Sequence, residues 1–182
     1  MKTIKEIQVE YHKYKGKTDF INNLEEFASF MLVGLDDIEE ARSEINKEKQ
    51  ENRKWELSAK IRNFFYFLFE EEDVSFYKQD NAILDESIQL TIKQEEYFQK
   101  IIEIASEENI QELVKLTDFC CEYYNQHIDY LESKRDALEY AYKGYNFYNG
   151  RLEDNRESFD RFFEQKMKEL SPQKSVEKTK KI

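Results

Sequence analysis

Four glycines and one proline punctuate a chain of 182 residues. An all-β fold needs a turn signal every ten residues or so, and this chain falls far short of that. The expected fold class is therefore all-α: a bundle of long antiparallel helices, five to seven in number, with no sheet. Fourteen Phe, twelve Tyr and one Trp accompany the single proline. Disordered chains have the opposite bias, so order is expected over most of the length. Residues 1–170 are expected to form one helical domain. The basic remainder, 171–182, is expected to be disordered, having too little apolar surface to offset the entropy of ordering.

Apolar spacing divides the chain further. Residues 1–15 predict a short amphipathic helix ended by Gly16, and a second, capped by Thr18 or Asp19, ended by Gly34. From Leu35 to about Phe69 one long helix is expected. Its 3-4 row carries Ile38, Ala41, Ile45, Trp55 and Ala59, but turns polar within "NKEKQENRK" (46–54). That stretch reads as a solvated piece at the rim or as a hinge or protruding recognition segment. "FFYFLF" (64–69) is apolar on every side and is predicted at the centre of the core. Another helix is predicted over 81–105, followed by one starting near Glu107 or Glu108.

The row of this last helix, Ile110, Leu113, Thr117, Cys120, Tyr124, His127, Leu131, Leu138, Tyr145, Tyr148, Phe159 and Phe162, is nearly unbroken. Continuous from 107 to 170, it would be about 96 Å long at 1.5 Å per residue, against a radius of gyration near 16 Å for a compact domain. A break at Asn149–Gly150 is expected, with a final helix over 151–170. The predicted core comprises Phe27, Ile45, Trp55, Phe65, Leu68, Ile88, Ile102, Leu113, Leu131, Leu138, Tyr145 and Phe159.

"YAYKGYNFYNG" (140–150) crowds five aromatic rings into eleven positions. Most fall on or beside the apolar row and read as core. Tyr140, Tyr142 and Phe147 are the candidates for a face on which a base or another flat ligand would stack.

Catalytic constellations are sparse. Two histidines and two cysteines are too few and too poorly spaced for a structural zinc site. Neither histidine is preceded by the Glu-x-x needed for a di-iron bundle. Cys120 and His127 fall two helical turns apart, so a buried cysteine and a hydrogen-bonded core histidine are expected. No phosphate-binding loop or dinucleotide fingerprint is present in the sequence. No catalytic residue, metal or cofactor is expected, and no enzyme.

Charge carries the functional reading. The formal net charge is −11, and residues 70–112 hold thirteen acids against three lysines. Such a surface repels phosphate backbones and membrane head groups and attracts basic partners. Glu86, Glu95, Glu96, Glu103, Glu107 and Glu108 are the expected partner-binding residues. The expected function is an acidic interaction module that binds or inhibits a protein with a basic surface, as a nucleic-acid mimic or a phage or plasmid accessory factor would. The alternatives are a self-associating coiled-coil scaffold or homodimer, using the row from Ile110 to Phe162, and a ligand binder using 140–148. Direct nucleic-acid or membrane binding is not expected. A charged start, apolar runs of six residues at most and two adjacent cysteines predict a cytoplasmic protein.

Overall fold

A computed structural model describes residues 21–65, 74–143 and 156–171. Among these residues the fold is all-α with four helices and no strand. They are α1 (Leu24–Phe64), α2 (Ser75–Glu103), α3 (Ile110–Tyr142) and α4 (Arg156–Leu170). The expectation of five to seven helices thus becomes four in the described part. The expected helix over 1–15 and the tail 172–182 lie outside it.

The main reason for the lower number is Gly34. It does not end a helix; α1 runs straight through it for 41 residues. A Cβ at Gly34 would lie 2.6 Å from Cε2 of Phe98, a ring that is itself 2% exposed. Glycine is needed there because α1 and α2 approach closely, not because the backbone turns. The N-cap is Asn23, whose side chain accepts from the Glu26 N–H at 2.9 Å, while Glu26 accepts from the Asn22 N–H at 2.8 Å. Thr18 and Asp19, the expected caps, lie outside the described residues. Glu107, in the turn before α3, accepts from the Leu24 N–H at 3.2 Å and meets another of the open donors at this helix start.

Cross-helix contacts give the topology. Arg42 reaches Glu95, Lys49 reaches Asp85 and Asn52 reaches Asp80, so α1 and α2 are antiparallel. Gln111 donates to the Ile21 carbonyl, Thr117 touches Met31 and Arg135 reaches Glu48, so α1 and α3 run parallel. Tyr97 with Asp160 and Lys100 with Glu164 set α4 parallel to α2. Asn109 latches the α2–α3 turn, donating to Ile104 and to the Leu170 carbonyl at the end of α4.

The core is rich in aromatics. Tyr123 and Phe159 stack face to face at 3.8 Å and 4°, Tyr97 and Phe163 at 3.9 Å and 25°, and Phe119 abuts both Phe159 and Phe162. These contacts show that the chain folds back after α3. Tyr123 and Phe159 would be roughly 54 Å apart on one continuous helix. α3 ends at Tyr142, with Lys143 as its C-cap, and the expected break at Asn149–Gly150 lies outside the described residues.

The predicted row on α3 is buried from Ile110 through Leu131. Phe27, Leu113, Leu131 and Phe159 are core, while Ile45, Ile88 and Leu138 are half-buried. Trp55, Phe65 and Ile102 are corrected to the surface, at 59%, 42% and 40% exposure. Phe64 is exposed as well, so the start of "FFYFLF" is not central. Leu68 and Tyr145 lie outside the described residues. Asn52 already sits opposite Asp80, five residues inside the start of α2, so the end of α1 has little of α2 to lie against. α2 itself starts at Ser75, ahead of the expected Asn81, and Phe76 in its first turn stacks on Tyr142 at 4.7 Å.

Candidate interaction surface

Among the described residues, the acids of the 70–112 stretch do not form one patch. Glu95 pairs with Arg42 of α1 and accepts from Gln99. Glu86 faces the other way, with Lys134 of α3 at 4.0 Å. Glu96 has Lys93 at 3.6 Å on its own helix, and Glu107 is engaged at the start of α1. Glu103 and Glu108 are exposed. Three of the six expected partner-binding residues are thus tied to other helices of the fold.

Asp80 is the most committed of these acids. Its side chain is 8% exposed and accepts from Arg135 Nε at 2.6 Å, from a second guanidinium nitrogen at 3.0 Å and from Asn52 at 2.7 Å. Arg135 also donates to Glu48 at 2.8 Å. The bond to Asp80 is the largest of the effects that raise the Arg135 pKa above its ordinary value. This network joins all three long helices where "NKEKQENRK" looked merely solvated. Lys49 and Asn52 of that stretch reach across to α2, while its other members are exposed.

A different acidic surface emerges on α1 and α3. Asp37, Glu40, Glu44, Glu48 and Glu51 recur at helical spacing and are all exposed. On α3, Asp118, Glu122, Asp129, Glu132 and Asp136 form a second row, its first two members half-buried and the rest exposed. Glu48 reaches Arg135 from the first row, and Asp37 and Asp118 both act electrostatically on Cys121, so the rows flank the same α1–α3 seam. Apart from the Glu48–Arg135 pair, none of these ten carboxylates has an ion pair with another described residue. The first row was readable in the sequence from its 3-4 spacing. It was obscured by the bases interleaved with it, Arg42, Lys47, Lys49 and Arg53, which keep the local charge low.

Burial pushes the Asp118 pKa up to about 6, and the thiol of Cys121 beside it up to about 11. A carboxyl raised on folding favours the folded state only while protonated. That contribution is present below the ordinary value near 4 and is lost as pH rises through about 6. Asp118→Asn should therefore match the parent near pH 4 and exceed it above about pH 6 by about 1 kcal/mol, discounted for partial exposure. Thermal melts of both proteins across this range check it; equal melting temperatures throughout would contradict it.

Matches to known proteins do not narrow the reading. No family model, curated protein or solved structure matches the chain. The surface has to be judged on its own chemistry.

Cys120 is fully buried, and burial raises its thiol well above the ordinary range. His127 is 8% exposed, with Nδ1 2.9 Å from the Tyr123 carbonyl. A carbonyl only accepts, so Nδ1 carries the proton. Both residues are core members of α3, as expected. No group of three or more His, Cys, Asp or Glu among the described residues is placed to hold a metal. No described helix is long and apolar enough to cross a membrane. Of the stacking candidates, Tyr142 is 43% exposed but lies on Phe76. The Tyr140 side chain and Phe147 lie outside the described residues.

Proposed function

We propose that the chain is a non-catalytic binding module whose α1–α3 face engages a protein partner with a basic surface. What supports this is the pair of carboxylate rows along the α1–α3 seam, nine of whose ten members have no ion pair with a described residue. Rows of carboxylates imitate a run of phosphates, and the favoured partner is a protein whose basic groove accepts a phosphate backbone. In this reading the protein works in the cytoplasm as an inhibitor or accessory factor, with Cys120 and Cys121 as thiols. Self-association through the row from Ile110 to Leu131 is disfavoured, because those side chains are already buried in the molecule's own core.

A pull-down from the native host at low salt, with mass spectrometry of what is retained, tests the proposal. Association should slow as salt rises, since the Debye length falls from about 10 Å at 0.1 M to about 3 Å at 1 M. Reversing Glu40, Glu44, Asp129 and Glu132 to lysine should abolish capture while leaving helicity unchanged. Reversing Glu95 or Glu107 would be a poor test, because those side chains hold helices together. Duplex DNA should compete with the chain for the same partner. Capture that is indifferent both to salt and to the four reversals would overturn the proposal.

A further inference from the structure

The side of α1 turned away from the bundle has a composition that changes along its length. At 3-4 spacing from Leu32 to Phe64, every residue of this stripe is exposed. Its first half carries the acids Asp36 and Glu39, and its second half the bases Arg53 and Lys60. Between them lie the uncharged polar residues Ser43, Asn46 and Gln50. The two ends are apolar, with Leu32 60% exposed at one and Leu57 and Phe64 at 59% and 77% at the other. This order is the reverse of itself in charge and symmetric in hydrophobicity.

An antiparallel copy of the same helix is the surface that such a stripe complements. With the two-fold axis at position 48, Leu32 meets Phe64, Asp36 meets Lys60, and Asn46 meets Gln50, each pair occurring twice in an isologous contact. Ser43 meets Arg53, and Glu39 falls beside Leu57 within reach of the neighbouring bases. A parallel copy would set Asp36 against Asp36 and Lys60 against Lys60. We infer that α1 forms a homodimer by antiparallel pairing of this outer stripe. The row from Ile110 to Leu131 on α3 takes no part, being buried inside each subunit. Lys60 also touches Glu56 of its own helix at 2.5 Å, yet its side chain remains 52% exposed and free to serve both carboxylates. The stripe lies on a different side of α1 from the carboxylate row that begins at Asp37, so dimerisation leaves the proposed partner surface open.

Light scattering and sedimentation of the full chain over a range of concentrations read the subunit mass directly. A monomer–dimer equilibrium is expected. Asp36→Lys should weaken it at least about tenfold, because like charges then meet at two symmetric places. Adding Lys60→Glu to Asp36→Lys should restore it, since the pair is exchanged and not lost. Phe64→Ser should weaken it through the apolar end, and circular dichroism should show the helicity of each variant unchanged. A monomer mass at every concentration reached overturns the inference. So does a dimer indifferent to both Asp36→Lys and Phe64→Ser, or a double variant no stronger than the single one.

Discussion

Truncating Phe159 to alanine should destabilise the protein by about 3–5 kcal/mol, the largest effect expected of any single core change here. The ring is fully buried, stacked on Tyr123, and borders Tyr97, Tyr124 and Phe119, so it joins α4 to both α2 and α3. Its loss leaves a cavity between three helices that a 15-residue helix cannot close alone. Helices of that length are marginal in water without a packed face. Phe163 on Tyr97 and Phe162 on Phe119 still hold α4, beside the polar pairs Tyr97–Asp160 and Lys100–Glu164. For a chain of this size the melting temperature should fall on the order of 10 °C. Urea unfolding with circular dichroism checks this, and a loss below about 1 kcal/mol would mean that α4 is not seated on the core.

Asp80→Ala should cost about 3 kcal/mol. It removes the acceptor of both Arg135 and Asn52 and leaves a guanidinium between helices with only Glu48 beside it. Breaking a fully buried pair costs about 3–5 kcal/mol; the Arg135 side chain is 24% exposed, which puts this case at the lower end. The companion variant separates geometry from charge. Asp80→Leu with Arg135→Met fills the same space without ions and should recover most of the loss. If Asp80→Ala proves neutral, the three-helix network contributes nothing to stability. A large loss in the companion variant would show that the network sets the helix register as well as satisfying its own charges.

Helical periodicity made much of the fold legible. The row from Ile110 to Leu131 is buried at every step, because a helix packed along its length repeats one environment every turn. Trp55 belongs to an equally regular row on α1 and is nonetheless exposed. Ala59, four residues on in that row, is fully buried, so periodicity identifies a face but not which of its positions a neighbour covers. Gly34 was misread for a related reason. In sequence, a glycine that ends a helix and one that admits a neighbouring ring look alike, and only the position of Phe98 distinguishes them. The acids illustrate a third limit. Charge counted along the chain picked out α2, where Asp80, Asp85 and Glu95 reach bases on other helices. The rows on α1 and α3 come together only when two segments some 85 residues apart in sequence lie side by side.

The passage of α1 through Gly34 has a mechanical consequence. A 41-residue helix without a break is a single spar of roughly 60 Å. The ring of Phe98 seats against it at Gly34, a quarter of the way along. Beyond that point Ile38 and Ala59 stay buried, and Arg42, Glu48, Lys49 and Asn52 add polar contacts to α2 and α3. Because no turn interrupts it, the carboxylates at 37, 40, 44, 48 and 51 are carried on one stiff element with fixed spacing, as teeth on one rack.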